Sequence, residues 1–245
     1  ATVGWPQNTP DFDKFYPATC LETGYDILFF WVARMVMMGL EFTDEVPFDT
    51  IYMHGLVRDE KNEKMSKTKG NVVDPLDVVD EYGADALRFS LVTGVTPGQD
   101  VPLSMERVKV NRNFCNKLWN AARFLEPKMV SSSGGVITQE ELSSMPLFER
   151  YIISEAHACA EASAAALEDY SIGDAGTRAY RFFYDEFADW YVEVSKTRSE
   201  EDQEASQRAL SYSFEVCLKL LHPFVPHVTE YLWQKLFNAD GADKA

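Results

Sequence analysis

Lys64-Met65-Ser66-Lys67-Thr68-Lys69-Gly70-Asn71 is the stretch on which the reading of this chain turns. Three lysines within six positions, interleaved with two hydroxyls and closed by Gly-Asn, can set several ammonium groups and hydrogen-bond donors around a polyphosphate. A lysine-rich segment is also, more commonly, a solvated loop. Its surroundings narrow the choice. Just upstream, Thr50 to Val57 has the β-branched and aromatic content of a strand, and Glu60-Lys61-Asn62-Glu63 turns it into the basic stretch. Just downstream, Asp74-Pro75 predicts a helix entry with Asp as N-cap and Pro in the first turn, and Gly83 predicts a break before a second helix from Ala84 to Val92. Further upstream, the Gly-bearing turn Thr23-Gly24-Tyr25-Asp26 leads into Ile27 to Gly39, apolar on most faces, which reads as a buried helix.

Beyond Met105 the strand signals stop. Val108, Asn111, Phe114/Cys115, Leu118, Ala121/Ala122 and Leu125 recur every three to four residues, so one helix spans about Ser104 to Leu125. Residues 127–144, with Ser131-Ser132-Ser133-Gly134-Gly135, read as a flexible connection. Helices are predicted over 146–170, 173–197 and 201–221, and Pro226 opens a last one through Phe237. Phe182, Phe183, Phe187, Trp190 and Tyr191 are spaced for core packing. The fold class is therefore α/β followed by an all-α bundle, with residues 1–104 in the first part and 105–245 in the second.

A chain of 245 residues with 46% hydrophobic and 25% charged side chains can bury a core in each part, which excludes overall disorder. No apolar run reaches the ~18 residues that a spanning helix needs, since Ile27 to Leu40 contains Arg34. The opening Ala1-Thr2-Val3-Gly4-Trp5-Pro6 has no basic and apolar leader pattern and no Met, and reads as an internal start. Cys20, Cys115, Cys159 and Cys217 lie far apart, against a zinc knuckle or a disulfide framework and for a reducing compartment, the cytoplasm or, for the parent that the resemblance given below implies, an organellar stroma or matrix. No protein-bound metal site and no oligomer is implied. The formal charge of -16 disfavours indiscriminate nucleic-acid binding. Two windows run against it: Arg58 to Lys69 holds 5 basic and 3 acidic residues, and Arg107 to Lys128 holds 6 and 1.

The lysine stretch resembles the K-M-S-K-S signature of class I aminoacyl-tRNA synthetases, with Thr68 retaining the last hydroxyl. Thr23 to Met35, then His54-Gly55-Leu56-Val57-Arg58-Asp59, are similar to the valyl-tRNA synthetases within that class, more than to the leucyl or isoleucyl enzymes. The likeness continues through Asn116-Lys117-Leu118-Trp119-Asn120-Ala121, Asp189-Trp190-Tyr191 and Leu221-His222-Pro223-Phe224-Val225-Pro226. It implies the second half of a Rossmann-like catalytic domain followed by an anticodon-binding bundle incomplete at its C-terminus. The family's His-x-Gly-His or His-x-Gly-Asn motif is not found here, because His54-Gly55-Leu56-Val57 lacks the second His or Asn, and its editing insertion is missing. The N-terminal half of the parent chain would then be a required partner.

The resemblance implies attachment of valine to tRNA(Val) through a valyl-adenylate, with ATP and the Mg2+ it carries, and Lys64 and Lys67 as catalytic cations. Ser66 and Thr68 belong to the same ATP-binding loop. At Gly24 and Asp26 the spacing lets a backbone approach a ligand while a carboxylate accepts from ribose hydroxyls; an Asp capping the next helix is the alternative. The resemblance favours ribose. It also assigns Trp31 to the amino-acid pocket, where helical spacing alone suggests a core side chain. His54 ends a strand, where α/β folds contact ligands, though a lone histidine is usually structural. His222 and His227 read as structural. Arg107, Lys109, Arg112, Lys117 and Arg123 are placed to meet tRNA phosphates, some of them pairing with acids instead. The competing reading is a synthetase-derived tRNA-binding or regulatory module without catalysis, for which the lysine loop and Gly24-x-Asp26 would have no use.

Overall fold

Strands β1 (Ala18–Gly24) and β2 (Phe48–His54) run parallel, from Ala18 opposite Phe48 to Gly24 opposite His54. Parallel neighbours need a crossover, and residues 25–43 supply it: a 3-10 turn (Tyr25–Ile27), a π-helical turn (Leu28–Val32) and α2 (Ala33–Thr43). A short helix, α1 (Pro10–Phe15), precedes them. The structure, a computed structural model, describes residues 2–129 and 136–237. Of the flexible connection expected over 127–144, residues 130–135, with the Ser-Gly run, lie outside the described residues.

The helix predicted over Ile27 to Gly39 is present, but it is not buried. Only Val32 is, while Phe29 is 79% exposed, Phe30 72%, Trp31 57% and Met37 69%. An apolar crossover is buried only where a second layer covers it, and the described residues lay none over this face. The predicted strand Thr50 to Val57 is two strands, β2 and β3 (Val57–Arg58), divided at Gly55; β3 pairs in parallel with β4 (Val101–Pro102). A Cβ on Gly55 would lie 1.8 Å from the Gln99 carbonyl oxygen, so only glycine allows the two backbones to pass.

Packing groups these elements into a unit of residues 1–64 with 96–102, and the remaining elements into a second unit. In the second unit, the predicted entry at Asp74-Pro75 is observed: Asp74 Oδ1 accepts from the Leu76 amide at 2.9 Å and opens α3 (Pro75–Tyr82). Gly83, at φ +91°, breaks the helix before α4 (Ala84–Val92). Ser104 caps α5 (Met105–Leu125) by accepting from the Arg107 amide. A short α6 (Gln139–Ser144) lies in the segment read as a flexible connection. Thr138 accepts from the Glu141 amide at 3.1 Å, the Thr-x-x-Glu start signal that a reading of composition alone passes over.

The bundle follows as α7 (Leu147–Glu168), α8 (Ile172–Arg181) continued by a π-helical stretch (Phe182–Tyr191) and α9 (Val192–Ser195), then α10 (Gln203–Leu221) and α11 (Pro226–Leu236). Phe182, Phe183, Phe187 and Tyr191 are buried as expected, with Ile152, Ile153, Phe214 and Leu218. Trp190 is not a core residue: it is 38% exposed and meets Phe148 and Tyr151 edge-on.

Packing in the second unit does not break at residue 104. The Asp85 carboxylate of α4 accepts from the amides of His227 and Val228, at 3.2 and 2.7 Å, and so closes the N-terminus of α11. Arg88 of the same helix donates to the Pro223 carbonyl oxygen at 3.1 Å. His222 Nδ1 lies 2.9 Å from Thr229 Oγ1. Asp85 and His222 thus hold the α10–α11 corner from either side.

Candidate active site

The two parallel strands end side by side at Gly24 and His54, the end of a parallel sheet where α/β folds receive ligands. Gly24 is buried, and a Cβ there would sit 2.9 Å from Asp26 Oδ1 and 3.6 Å from His54 Cε1. The missing side chain is thus what lets a backbone, a carboxylate and an imidazole converge. Asp26 lies exposed on the 3-10 turn and, among the described residues, its side chain caps no helix. His54 is held by two acceptors, with Nδ1 2.7 Å from the Gly55 carbonyl oxygen and Nε2 3.3 Å from Glu22 Oε1. Trp31 lies one short turn further on, exposed to solvent.

Lys64 is brought to this place by a local turn. The Asp59 carboxylate accepts from the amides of Lys61 and Glu63 at 3.0 and 2.7 Å, and Asn62 takes the left-handed conformation at φ 62°. That folds Lys64 back antiparallel to Arg58 and puts its Nζ 3.8 Å from Asp26 Oδ2. An exposed pair at this distance contributes little stability. It does leave an ammonium and a carboxylate side by side and open to a ligand.

Asp100 ties together the residues that follow the two strand ends, and nothing in the sequence points to it. Its Oδ1 accepts from the Leu56 amide at 2.8 Å, and its Oδ2 accepts from Arg58 Nε and, at 3.3 Å, from the Tyr25 hydroxyl. The Leu56 amide, with help from Arg58 and Tyr25, holds this carboxyl below the usual carboxylate range although burial pushes the other way. These partners lie 42 to 75 positions from Asp100, too far for any local pattern to reveal.

The lysine signature straddles the unit boundary in sequence: Lys64 closes the first unit, and Met65 begins the second. Ser66 organises the loop. Its amide donates to Asn71 Oδ1 at 2.9 Å, its hydroxyl lies 3.2 Å from Thr68 Oγ1, and the Lys69 amide donates back to Ser66 Oγ at 3.3 Å. Gly70 takes φ +68°, as the turn requires. The hydroxyls and Asn71 therefore shape the turn, while Lys67 and Thr68 face solvent.

Three of the four cysteines are set back from the surface. Burial raises the Cys115 thiol to about 12 and pushes Cys159 and Cys217 up as well, so none of these three is a ready nucleophile. Among the described residues no group of three or more His, Cys, Asp or Glu is placed to hold a metal ion. None of their helices is long and apolar enough to cross a membrane.

Of the five cations expected to meet phosphate, Arg107 and Lys117 are engaged within the fold. Arg107 donates to the Thr93 carbonyl oxygen, and burial lowers its pKa. Lys117 pairs with Asp189 at 2.5 Å and lies over the Tyr184 ring. Lys109, Arg112 and Arg123 stay exposed.

Residues 1–104 match the family of class I tRNA synthetases for isoleucine, leucine, methionine and valine, and residues 149–244 match the anticodon-binding domain of tRNA ligases. With both matches in one chain, and in this order, the protein belongs to the class I aminoacyl-tRNA synthetases. Within that class its similarity is to valine–tRNA ligases. It is 49% identical, over 96% of its length, to the chloroplastic/mitochondrial 2 enzyme of Arabidopsis thaliana, and 46% identical, over its whole length, to that of Solibacter usitatus. The chain spans about a quarter of these relatives, 26% and 27%. In fold it is similar to an Agrobacterium radiobacter K84 LeuRS solved with tRNA and LeuAMS, at TM-score 0.75 and 23% identity over 93% of this chain and 28% of that one. It is likewise similar to Mycobacterium tuberculosis methionyl-tRNA synthetase solved with methionyl-adenylate, at TM-score 0.72 and 23% identity over 98% and 50% of the two chains.

Proposed function

We propose that this chain is the part of a valine–tRNA ligase that holds ATP at the strand ends Gly24 and His54, activates valine with the lysine signature, and carries the tRNA(Val)-binding bundle. The observation that carries the reading is the convergence of Gly24, Asp26, His54 and Lys64 at the end of a parallel strand pair, in a chain that continues directly into Met65-Ser66-Lys67-Thr68. In this reading residues 1–104 belong to the catalytic domain and 105–245 to the anticodon-binding bundle. The work is placed in the cytoplasm or in an organellar matrix or stroma, in keeping with four unpaired cysteines.

Asp26 accepts from the ribose hydroxyls of ATP, and His54 contacts the adenine or phosphate end. A carboxylate oxygen of valine attacks the α-phosphorus of ATP, the bond to the β-phosphate oxygen breaks, and pyrophosphate leaves with its Mg2+. Negative charge grows on the phosphoryl oxygens and on the leaving group, and preorganised ammonium groups lower the barrier most where that charge develops. Lys67 and Lys64 take this role, with the Ser66 and Thr68 hydroxyls shaping the loop and donating to phosphate oxygens. Trp31 lines the valine pocket. A terminal hydroxyl of the tRNA then attacks the valyl carbonyl carbon and AMP leaves.

In the full-length enzyme, Lys67→Ala is expected to slow adenylate formation by roughly 10² to 10³ and to leave valine binding nearly unchanged, because the lost contact acts on transition-state charge. Pre-steady-state measurement of valyl-adenylate checks this. A rate within about threefold of wild type would sink the assignment.

A further inference from the structure

Helix α5 turns an unusual face to solvent. Lys109, Arg112, Asn113, Asn116, Asn120 and Arg123 are all exposed and fall on one side at helical spacing, opposite buried Asn111, Phe114, Leu118, Ala122 and Leu125. Among the described residues none of the three cations makes an ion pair, in a protein of formal charge -16. The acids of this helix are confined to its ends: Glu106 lies in the first turn, and Glu126, just past the last, pairs with Lys235 at 3.1 Å.

Three asparagines are the sharper observation. Asparagine is a poor choice for the middle of a solvent-facing helix, because its carboxamide competes for backbone groups, and all three are exposed, with no burial among the described residues to compensate. A carboxamide both donates and accepts, which suits ribose hydroxyls and phosphate oxygens; an acidic protein surface would offer acceptors alone and favour lysine or arginine throughout. From Lys109 to Arg123 the stripe runs for about 21 Å at the rise of an α-helix, long enough to follow several nucleotides of one strand.

We propose that this face of α5 is a track for the tRNA sugar-phosphate backbone, with Lys109, Arg112 and Arg123 on phosphates and Asn113, Asn116 and Asn120 on the ribose and phosphate oxygens between them. It rests on the reading of the chain as part of a tRNA ligase and names the residues that such a partner would meet. Contacts of this kind position a nucleic acid and read no sequence.

The test is a fluorescence titration of this chain with transcripts of a valine tRNA and of an unrelated tRNA, over a series of salt concentrations. Replacing Lys109, Arg112 and Arg123 together by Ala is expected to weaken binding of both transcripts at least ~10-fold near ~0.1 M salt and to reduce the slope of log affinity against log salt by about two, since fewer counterions are released. Replacing Asn113, Asn116 and Asn120 by Ala is expected to weaken binding about fivefold with the salt slope unchanged, and to hold or raise the melting temperature, because alanine is the better helix former. A Lys14→Ala control is expected to bind as wild type. The proposal is overturned if either triple variant binds as wild type, if the asparagine variant loses affinity only together with melting temperature, if polyglutamate competes as well as tRNA does, or if the wild-type chain binds neither transcript. A full-length Lys67→Ala enzyme that still activates valine at the normal rate would remove the catalytic reading and leave this binding result untouched.

Discussion

The helical bundle and the strand crossover have similarly apolar helices and opposite fates. In the bundle, Ile152, Ile153, Phe183, Phe187 and Phe214 are all fully buried, each facing a helix that the same stretch of chain supplies. In the crossover, Phe29, Phe30, Trp31 and Met37 stand in solvent although they are as apolar. Hydrophobic content tells which face wants cover, and only the presence of a second layer decides whether it has any. Burial in the bundle is therefore self-contained, whereas in the first unit it is limited to a few scattered residues, Thr23, Gly24, Val32, Phe48 and Val101, and the Asp100 cluster with Leu56, Arg58 and Tyr25 is held by hydrogen bonds at partly exposed positions.

The largest effect that can break this contrast lies at Glu149, a fully buried carboxylate of the bundle. Arg198 Nη2 donates to it at 3.0 Å and the Tyr191 hydroxyl at 3.4 Å. Burial foremost, and then Glu149 itself, pushes the Tyr191 phenol far above its ordinary range, so Tyr191 stays a donor. Arg198→Ala leaves the Glu149 charge without its cation and is expected to cost about 3–5 kcal/mol, read as a lower urea midpoint at constant slope. A loss below about 1 kcal/mol would mean that water reaches Glu149 and that the bundle interior is less closed than its burial indicates.

A smaller effect is expected where α4 is joined to the bundle. Asp85→Ala removes the acceptor for two amides at the start of α11 and is expected to cost about 1–2 kcal/mol. Exchange of the His227 and Val228 amides should speed up before the rest of the helix is affected. Unchanged exchange at both would show that α11 does not depend on α4.

The smallest effect sharpens the other side of the comparison. Phe29→Ser at a position 79% exposed is expected to change the stability of this chain by no more than about 0.5 kcal/mol. The measurement is the same urea titration. A loss of 2 kcal/mol or more, typical of a buried aromatic, would show that something covers the crossover in solution.

Much of the fold was legible from local signals. Asp74-Pro75, Gly83 and Ser104 marked helix boundaries where their side chains or backbone now act, and the helices of the bundle began and ended within a few residues of their predicted limits. Such signals are read from neighbours in sequence, and so is the turn at Asp59 that delivers Lys64. The short helix at 139–144 carried its signal too, in Thr138 and Glu141, but the composition around it suggested a loop.

In the candidate site the same division holds. The residue types and spacing of Gly24, Asp26 and the lysine signature are properties of the sequence, and they are the groups that the proposed recognition of phosphate and ribose would use. Only the tertiary structure put His54 beside Gly24, set Lys64 against Asp26, and brought Asp100 to Leu56, Arg58 and Tyr25, since folding joins residues tens of positions apart. It also sorted the cations of α5, drawing Arg107 and Lys117 into contacts with other helices and leaving Lys109, Arg112 and Arg123 to solvent. The sequence by itself determined which groups are available and where each helix begins. Which of them meet, and which apolar faces find cover, was decided by packing, because that depends on the neighbours across space and not on those along the chain.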